Sequence, residues 1–441
     1  MSSTLEMISS LESSPVDSRQ VYTKIAWRIM PLIMACYFCA YLDRINVGFA
    51  KLQMLNDLHL SEAAYGLGAG LFFVGYFLFE VPSNLLMTKI GAKKTLMRIM
   101  ILWGIISAGF ALVQTPMQFY IMRVLLGAAE AGFFPGIILY LTFWFPSSTR
   151  AKVTGMFYTA IPISGLIGAP LSGYIMGANQ GTLGLTGWQW LFILEALPTI
   201  VIGVCIPFFL CDSPREAKWL SEREKNFVLK ELELEKKQKG IHAEGDISVG
   251  QVFKNSRVWY LIALCLCQTM GLYAISFWLP SLIKDIGYTT PLEIGLISII
   301  PFGVGAIVLN FVCRSSDRRL ERRWHTSIPF LATAFGLLAS TQAGGHAVFA
   351  LIALSIATAG AYTATTMFWT LPSQFFSGVG AAAAIGLINS VGNLGGFVSP
   401  YVIGLIKDST GSTSYGIYLL SAVLICGAFM VLRLPGKVVN K

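Results

Sequence analysis

The run YLDRINVGFA, residues 41–50, sets Asp43 beside Arg44 inside an apolar stretch long enough to cross a membrane. A second charged pair, Arg123 and Glu130, lies in another such stretch. Seven residues separate them, two helical turns, so both project from one face of a helix. At 1.5 Å per residue, Asp43 and Arg44 fall about 22 to 24 Å beyond Arg28, and Glu130 about 18 Å beyond Gln118, near mid-membrane. Facing lipid, the four charges would cost about 10 to 14 kcal/mol, at roughly 2.5 to 3.5 kcal/mol each. That matches the stability of a typical domain, so they must face one another or a wet cavity. Together they are neutral. A carboxylate substrate that pairs with a guanidinium makes the site negative, and a proton on either acid restores neutrality. One proton per monoanion cancels an electrical cost of about 2.3 kcal/mol per 100 mV, and two buried carboxylates allow two protons. Asp43 and Glu130 are therefore read as proton carriers, with Arg123 as the partner of Glu130 in preference to an anion-binding role. The competing reading is a structural ion-pair set joining helices one and four.

Composition defines the setting for these residues. Of 441 residues, 55% are apolar and 12% charged, against roughly 25% charged in a soluble domain. Apolar windows near 20 residues, the length that spans about 30 Å of hydrocarbon as helix, begin near Trp27, Tyr65, Leu96, Gln118, Val153, Trp188, Val258, Glu293, Thr326, Ala347, Gly378 and Tyr415. The expected architecture is an all-α membrane protein of twelve transmembrane helices. With the amino terminus cytoplasmic, 27 of the 32 Lys and Arg residues fall on cytoplasmic segments, and only Lys51, Lys284 and Lys407 lie outside. This is the positive-inside pattern, so the net charge of +9 calls for no nucleic acid partner. Both termini are expected in the cytoplasm. The eight cysteines suggest no disulfide framework, and neither they nor the four histidines have metal-ligand spacing.

Two halves flank a charged connection. Residues 1–26 are expected to be a disordered tail, 27–211 and 257–433 two six-helix bundles, and 434–441 a short tail. In the linker, 212–256, Ser213 with Glu216 and Ser221 with Glu224 fit capping boxes, which predicts two short amphipathic helices. The halves echo each other: TFWFPSS at Thr142 answers MFWTLPSQ at Met367, and KIGAKK at Lys89 answers SDRRLERR at Ser316. Such duplications place a substrate near the bilayer midplane, between halves that rock for alternating access.

The segment NLLMTKIGAKK, 84–94, resembles the loop between spans two and three of the major facilitator superfamily, and CRSSDRRLERRWH, 313–325, resembles its second copy. The resemblance implies gating roles for Lys89, Gly91, Asp317 and Arg318. Asn84 and Thr88 replace the usual Gly and Asp, which shifts the latch role toward Asp317. Within the superfamily, AYLDRINVGFA, RVLLGAAEAGFFPG (123–136), LTFWFP, GWQWLFILEALP (187–198) and the Asp-Ser-Pro opening of the linker resemble the anion:cation symporter family. That family takes up organic anions with protons. Its bacterial members carry sugar acids, tartrate, or aromatic acids such as 4-hydroxyphenylacetate and phthalate.

Arg44 is favoured as the anion anchor, in keeping with that motif. Tyr41 and Tyr37 share its helical face and offer hydroxyls or a stacking wall. The resemblance implies substrate contact for Tyr76. Asn389 and Asn393, one turn apart in an apolar span, need hydrogen-bond partners; substrate and a neighbouring helix are equal alternatives. Trp369 lines the second half of the cavity or sits at the membrane interface. Glu80 is placed near the cytoplasmic end of the second span, reaching the interface or pairing with a loop base, and Glu195 is read as structural. The expected protein is a monomer of the bacterial inner membrane, driven by a proton gradient with no cofactor, whose partners are a small organic anion, protons and lipid. A drug:proton antiporter is the alternative within transport. A membrane-embedded enzyme or sensor would need a nucleophile motif, metal spacing or a large soluble domain, and the sequence offers none of these.

Overall fold

The computed structural model describes residues 17–241, 252–376 and 378–440. Outside the linker, these residues form twelve long helical runs. Before the linker come α1 (Ser18–Asp57), α2 (Glu62–Ile90), α3 (Ala92–Gly109), α4 (Pro116–Glu130 continued by Phe133–Thr142), α5 (Ser147–Tyr158 continued by Ala160–Ala178) and α6 (Gly187–Phe209). After it come α7 (Ser256–Asp285), α8 (Pro291–Arg319), α9 (Arg323–Thr341), α10 (Ala347–Phe368), α11 (Gly378–Gly392 continued by Gly395–Thr410) and α12 (Ser414–Arg433). Ten of the twelve are long and apolar enough to cross a membrane by length and composition; α9 and α11 are the two that are not.

Helix α1 begins at Ser18, inside the stretch expected to be a tail, because the Asp17 side chain accepts the backbone N–H groups of Arg19 and Gln20 and so caps it. Its 40 residues exceed any single span, and the surplus projects at the face that carries the linker. There the Tyr22 hydroxyl donates to Glu231 at 2.5 Å and Lys24 pairs with Glu224 at 2.8 Å. The expectation for 1–16 and 242–251 lies outside the described residues. Of the two capping boxes, Ser221–Glu224 forms and opens a helix, Glu222–Ile241. Ser213 makes no such cap, and Pro214–Glu216 is a single 3-10 turn. The short carboxyl-terminal stretch is also tied down: Asn440 accepts from the backbone N–H groups of Arg322 and Arg323 at 2.9 and 3.2 Å.

The halves meet along α2 with α11, α5 with α8 and α1 with α7. At the face opposite the linker the seam is tight. A Cβ on Gly66 of α2 would come within 2.2 Å of the Pro400 carbonyl oxygen of α11, so only glycine allows this approach. The same end carries a charge cluster. Glu62 bridges Lys51 at 2.7 Å and Lys407 of the other half at 2.6 Å. Asp408 of α11 accepts the first N–H groups of α2, from Glu62 and Ala63, at 3.0 and 2.9 Å. Lys51, read from sequence as a loop residue, is buried with its ammonium 3.4 Å from the centre of the Trp278 ring.

Candidate functional site

A cavity lies between the halves. The first half contributes Tyr37, Tyr41 and Arg44 from α1, Tyr76 from α2 and Phe134 from α4; the second contributes Trp369, Asn389 and Asn393. All seven side chains expected to touch substrate therefore surround one space.

Among the described residues, Arg44 is the only charged residue of that lining. Its Nη1 donates to the Tyr273 hydroxyl of α7 at 3.1 Å, and its Nη2 pairs with Glu130 Oε1. The guanidinium carbon lies 5.1 Å from the centre of the Tyr41 ring and 5.6 Å from that of Phe72, which holds it by cation–π attraction. Arg44 Nε and Glu130 Oε2 are both buried and make no hydrogen bond. A donor and an acceptor are thus left open beside the one ion pair that borders the cavity.

Local backbone explains how Glu130 reaches this point. It is the last residue of the first segment of α4, and Gly132 breaks the helix at φ +85°, a left-handed conformation that glycine adopts without strain. Asn393 stands at a similar break, between Gly392 and Gly395 of α11. Irregular backbone at membrane depth is tolerated where it borders a cavity.

The four membrane charges do not form one network. Asp43 turns away from the cavity toward α3, whose Ser107 Oγ donates to it at 3.0 Å and whose Trp103 Nε1 also donates, while Asn46 Nδ2 of its own helix donates at 2.9 Å. Arg123 is not paired with Glu130, contrary to the helical-face argument. It donates instead to the backbone carbonyls of Gly68 and Ala69 at 3.3 and 2.9 Å and lies 5.1 Å from the Phe72 ring centre. Each carbonyl already serves the α2 ladder, but it has a second lone pair to offer.

Glu80 departs furthest from expectation. It is 2% exposed, reaching neither the interface nor a loop base, and accepts from Asn389 Nδ2 at 2.7 Å and Ser390 Oγ at 2.6 Å across the seam. The partner sought for Asn389 is therefore a carboxylate of the other half. Glu195 is buried and accepts from Ser172 at 2.7 Å, joining α5 to α6.

The gating candidates lie apart from the cavity. Gly91 sits between α2 and α3 at φ +89°, where a Cβ would come 2.8 Å from the Asp212 carboxylate. Asp212 accepts the Lys93 N–H at 2.7 Å, holding the start of α3 from the linker. The carboxylate missing from position 88 is supplied there by a residue 124 positions later. Lys89 is exposed. Asp317, expected to latch the halves, pairs within its own loop with Arg322 at 2.7 Å and is 68% exposed; Arg318 is exposed beside it.

Sequence reasoning missed Tyr273, Gln268, Thr269 and Thr365 in the lining. Thr365 donates to Gln268 at 2.6 Å, joining α10 to α7. The signal was available, since Gln268, Thr269 and Tyr273 are polar groups inside the apolar α7, the same cue that picked out Asn389 and Asn393. Among the described residues no group of three His, Cys, Asp or Glu side chains could hold a metal ion.

The chain resembles known transporters over nearly its whole length. It is 47% identical over 416 residues to "Putative tartrate transporter" of Agrobacterium vitis, covering 94% of this chain and 91% of that one. It is 41% identical over 412 residues to "Quinolone resistance transporter" of Acinetobacter baumannii, covering 93% and 94%. Its fold superposes on the crystal structure of a D-xylose-proton symporter with a TM-score of 0.74 at 15% identity, covering 94% and 99%. The family model of the Major Facilitator Superfamily matches residues 33–400. With twelve helical runs in two halves around a central cavity, the chain is a secondary transporter, not an enzyme, and belongs to the Major Facilitator Superfamily.

Proposed function

We propose that this transporter imports a small organic anion together with protons across the bacterial inner membrane, with both termini cytoplasmic. The carrying observation is the Arg44–Glu130 pair, whose Arg44 Nε and Glu130 Oε2 lack partners beside the cavity. When Glu130 is ionised it occupies the guanidinium. A proton on Glu130 weakens that hold, and the substrate's carboxylate takes its place on Arg44, so the site stays neutral while one proton and one monoanion cross together. Asp43, held by three neutral donors on the adjacent face of α1, is assigned the second proton. Tyr41, Tyr37, Tyr76 and Trp369 wall the anion's body, and Asn389 and Asn393 offer amide groups opposite Arg44. Arg123 secures the approach of α4 to α2 and touches no substrate.

The relative named for tartrate supports a carboxylate substrate. The relative named for quinolone resistance supports a second reading, drug:proton exchange; a guanidinium in the lining favours the anion. The test is uptake of a labelled acid into vesicles under an imposed inward proton gradient. The unmodified protein accumulates the acid, whereas Glu130→Gln exchanges labelled for unlabelled acid but does not accumulate it. Accumulation by Glu130→Gln equal to that of the unmodified protein would sink the assignment.

A further inference from the structure

Glu80 is a buried carboxylate at the seam between the halves, and among the described residues no Lys, Arg or His nitrogen pairs with it. Both of its donors are neutral and both come from α11. Behind them runs a short relay: Asn393 Nδ2 donates to Asn389 Oδ1 at 3.1 Å, and Asn389 Nδ2 donates to Glu80 Oε1 at 2.7 Å. Asn389 and Asn393 also line the cavity that Arg44 borders. Among the described residues, the titratable and charged groups within electrostatic reach of Tyr76, one turn before Glu80 on α2, are Glu80 itself, Arg44 on α1, Glu130 on α4 and Tyr273 on α7. From α10 the cavity receives Thr365 and Trp369, which carry no charge.

The relay has a direction set by Glu80. An ionised carboxylate only accepts, so Asn389 must turn its NH2 group toward it and its oxygen toward Asn393. Asn393 then spends its own NH2 group on Asn389 and shows an oxygen acceptor to the cavity. A proton taken from water in the cavity onto one Glu80 oxygen makes that oxygen a donor. The Asn389 amide reverses to accept from it, Asn393 accepts from Asn389, and the Asn393 NH2 group faces the cavity as a donor. The Ser390 hydroxyl continues to donate to the other Glu80 oxygen. One proton therefore converts the wall opposite Arg44 from acceptor to donor and removes a negative charge behind it.

We propose that Glu80 is a proton-binding residue that selects for substrates with two anionic groups, one held by Arg44 and the other by the NH2 group of Asn393 once the relay has reversed. The proposal rests on the proton-coupled anion reading above and names its substrate class as dicarboxylates. A dianion brings one charge more than Arg44 balances, and the Glu80 proton offsets it.

The test uses the full-length purified protein in lipid nanodiscs, with tartrate and phthalate as dianions and galactonate as the monoanion. Titration calorimetry in buffers of different ionisation enthalpy counts the protons taken up on binding. The unmodified protein takes up one more proton per dianion than per monoanion, and in Glu80→Gln this difference falls to zero. An undiminished difference in Glu80→Gln, or failure of both dianions to bind, overturns the proposal. Equal proton uptake for both ligand classes in the unmodified protein overturns it while leaving proton coupling intact, whereas no proton uptake with any ligand removes the underlying reading as well. Should Glu80→Gln not fold, Ser390→Ala provides the second test. Losing a donor to ionised Glu80 extends tartrate binding to higher pH by about one unit, and an unshifted pH profile is contrary to the proposal.

Discussion

The two halves share a helical plan but not a chemistry. Among the described residues every buried charged side chain precedes the linker: Asp43, Lys51, Glu80, Arg123, Glu130 and Glu195. The second half buries neutral polar groups instead, Gln268, Thr269, Thr365, Asn389 and Ser390 around the cavity among them. In hydrocarbon a neutral hydrogen-bonding side chain costs far less than a charge, so the second half can shape a binding wall without ion pairs. The first half surrounds its buried charges with ionic partners, backbone carbonyls or neutral donors: Glu62 for Lys51, Arg44 for Glu130, the Gly68 and Ala69 carbonyls for Arg123, and hydroxyl, amide or indole donors for Asp43, Glu80 and Glu195. On the function proposed above, labour is divided accordingly: charge exchange is assigned to the first half, and recognition of the substrate's uncharged or second polar groups to the second.

The strongest way to break this division is Arg44→Ala. It strands Glu130 as a buried unpaired carboxylate, a cost of about 3 to 5 kcal/mol. Uptake of labelled acid should fall more than a hundredfold, with a lowered melting temperature; retention of tight anion binding would place the anchor elsewhere. A smaller effect is expected in the second half. Asn393→Ala removes one neutral hydrogen-bonding group, worth about 1 kcal/mol, so the Kd of a monoanion rises roughly fivefold while the dependence of its uptake on the proton gradient is unchanged. A collapse of that dependence would show that coupling is shared by both halves. The smallest effect belongs to the far-face tie. Lys407 and Glu62 are both about one-fifth exposed, and pairs of this kind contribute roughly 0.2 to 1 kcal/mol. Lys407→Ala should modestly raise labelling of a cysteine placed beneath that seam from the far face, with little change in substrate affinity.

Much of this was legible in the chain. Hydropathy and the Lys and Arg distribution place the spans and the linker, and the polar residues inside apolar spans lead directly to the cavity. Helical spacing was a weaker guide to which charges meet. Arg123 and Glu130 share a face, yet Arg123 turns to the α2 carbonyls of Gly68 and Ala69, and the chain breaks directly after Glu130. Asp43 and Arg44 are neighbours in sequence, but successive helical residues point about 100° apart, so one faces α3 and the other the cavity. The partners of Glu80 lie 309 and 310 residues away in the other half, beyond the reach of any local pattern. The same holds for Asp212, which supplies a carboxylate to the Gly91 loop from the start of the linker.

The central claim is that an organic anion and protons cross together through the Arg44–Glu130 pair. It is tested most directly in the reverse direction, by imposing an inward gradient of the acid on liposomes that contain the purified protein and a trapped pH dye, with no initial pH difference. The account predicts acidification of the lumen that follows the anion inward and is absent in Glu130→Gln. Anion entry without any change in lumenal pH would contradict it.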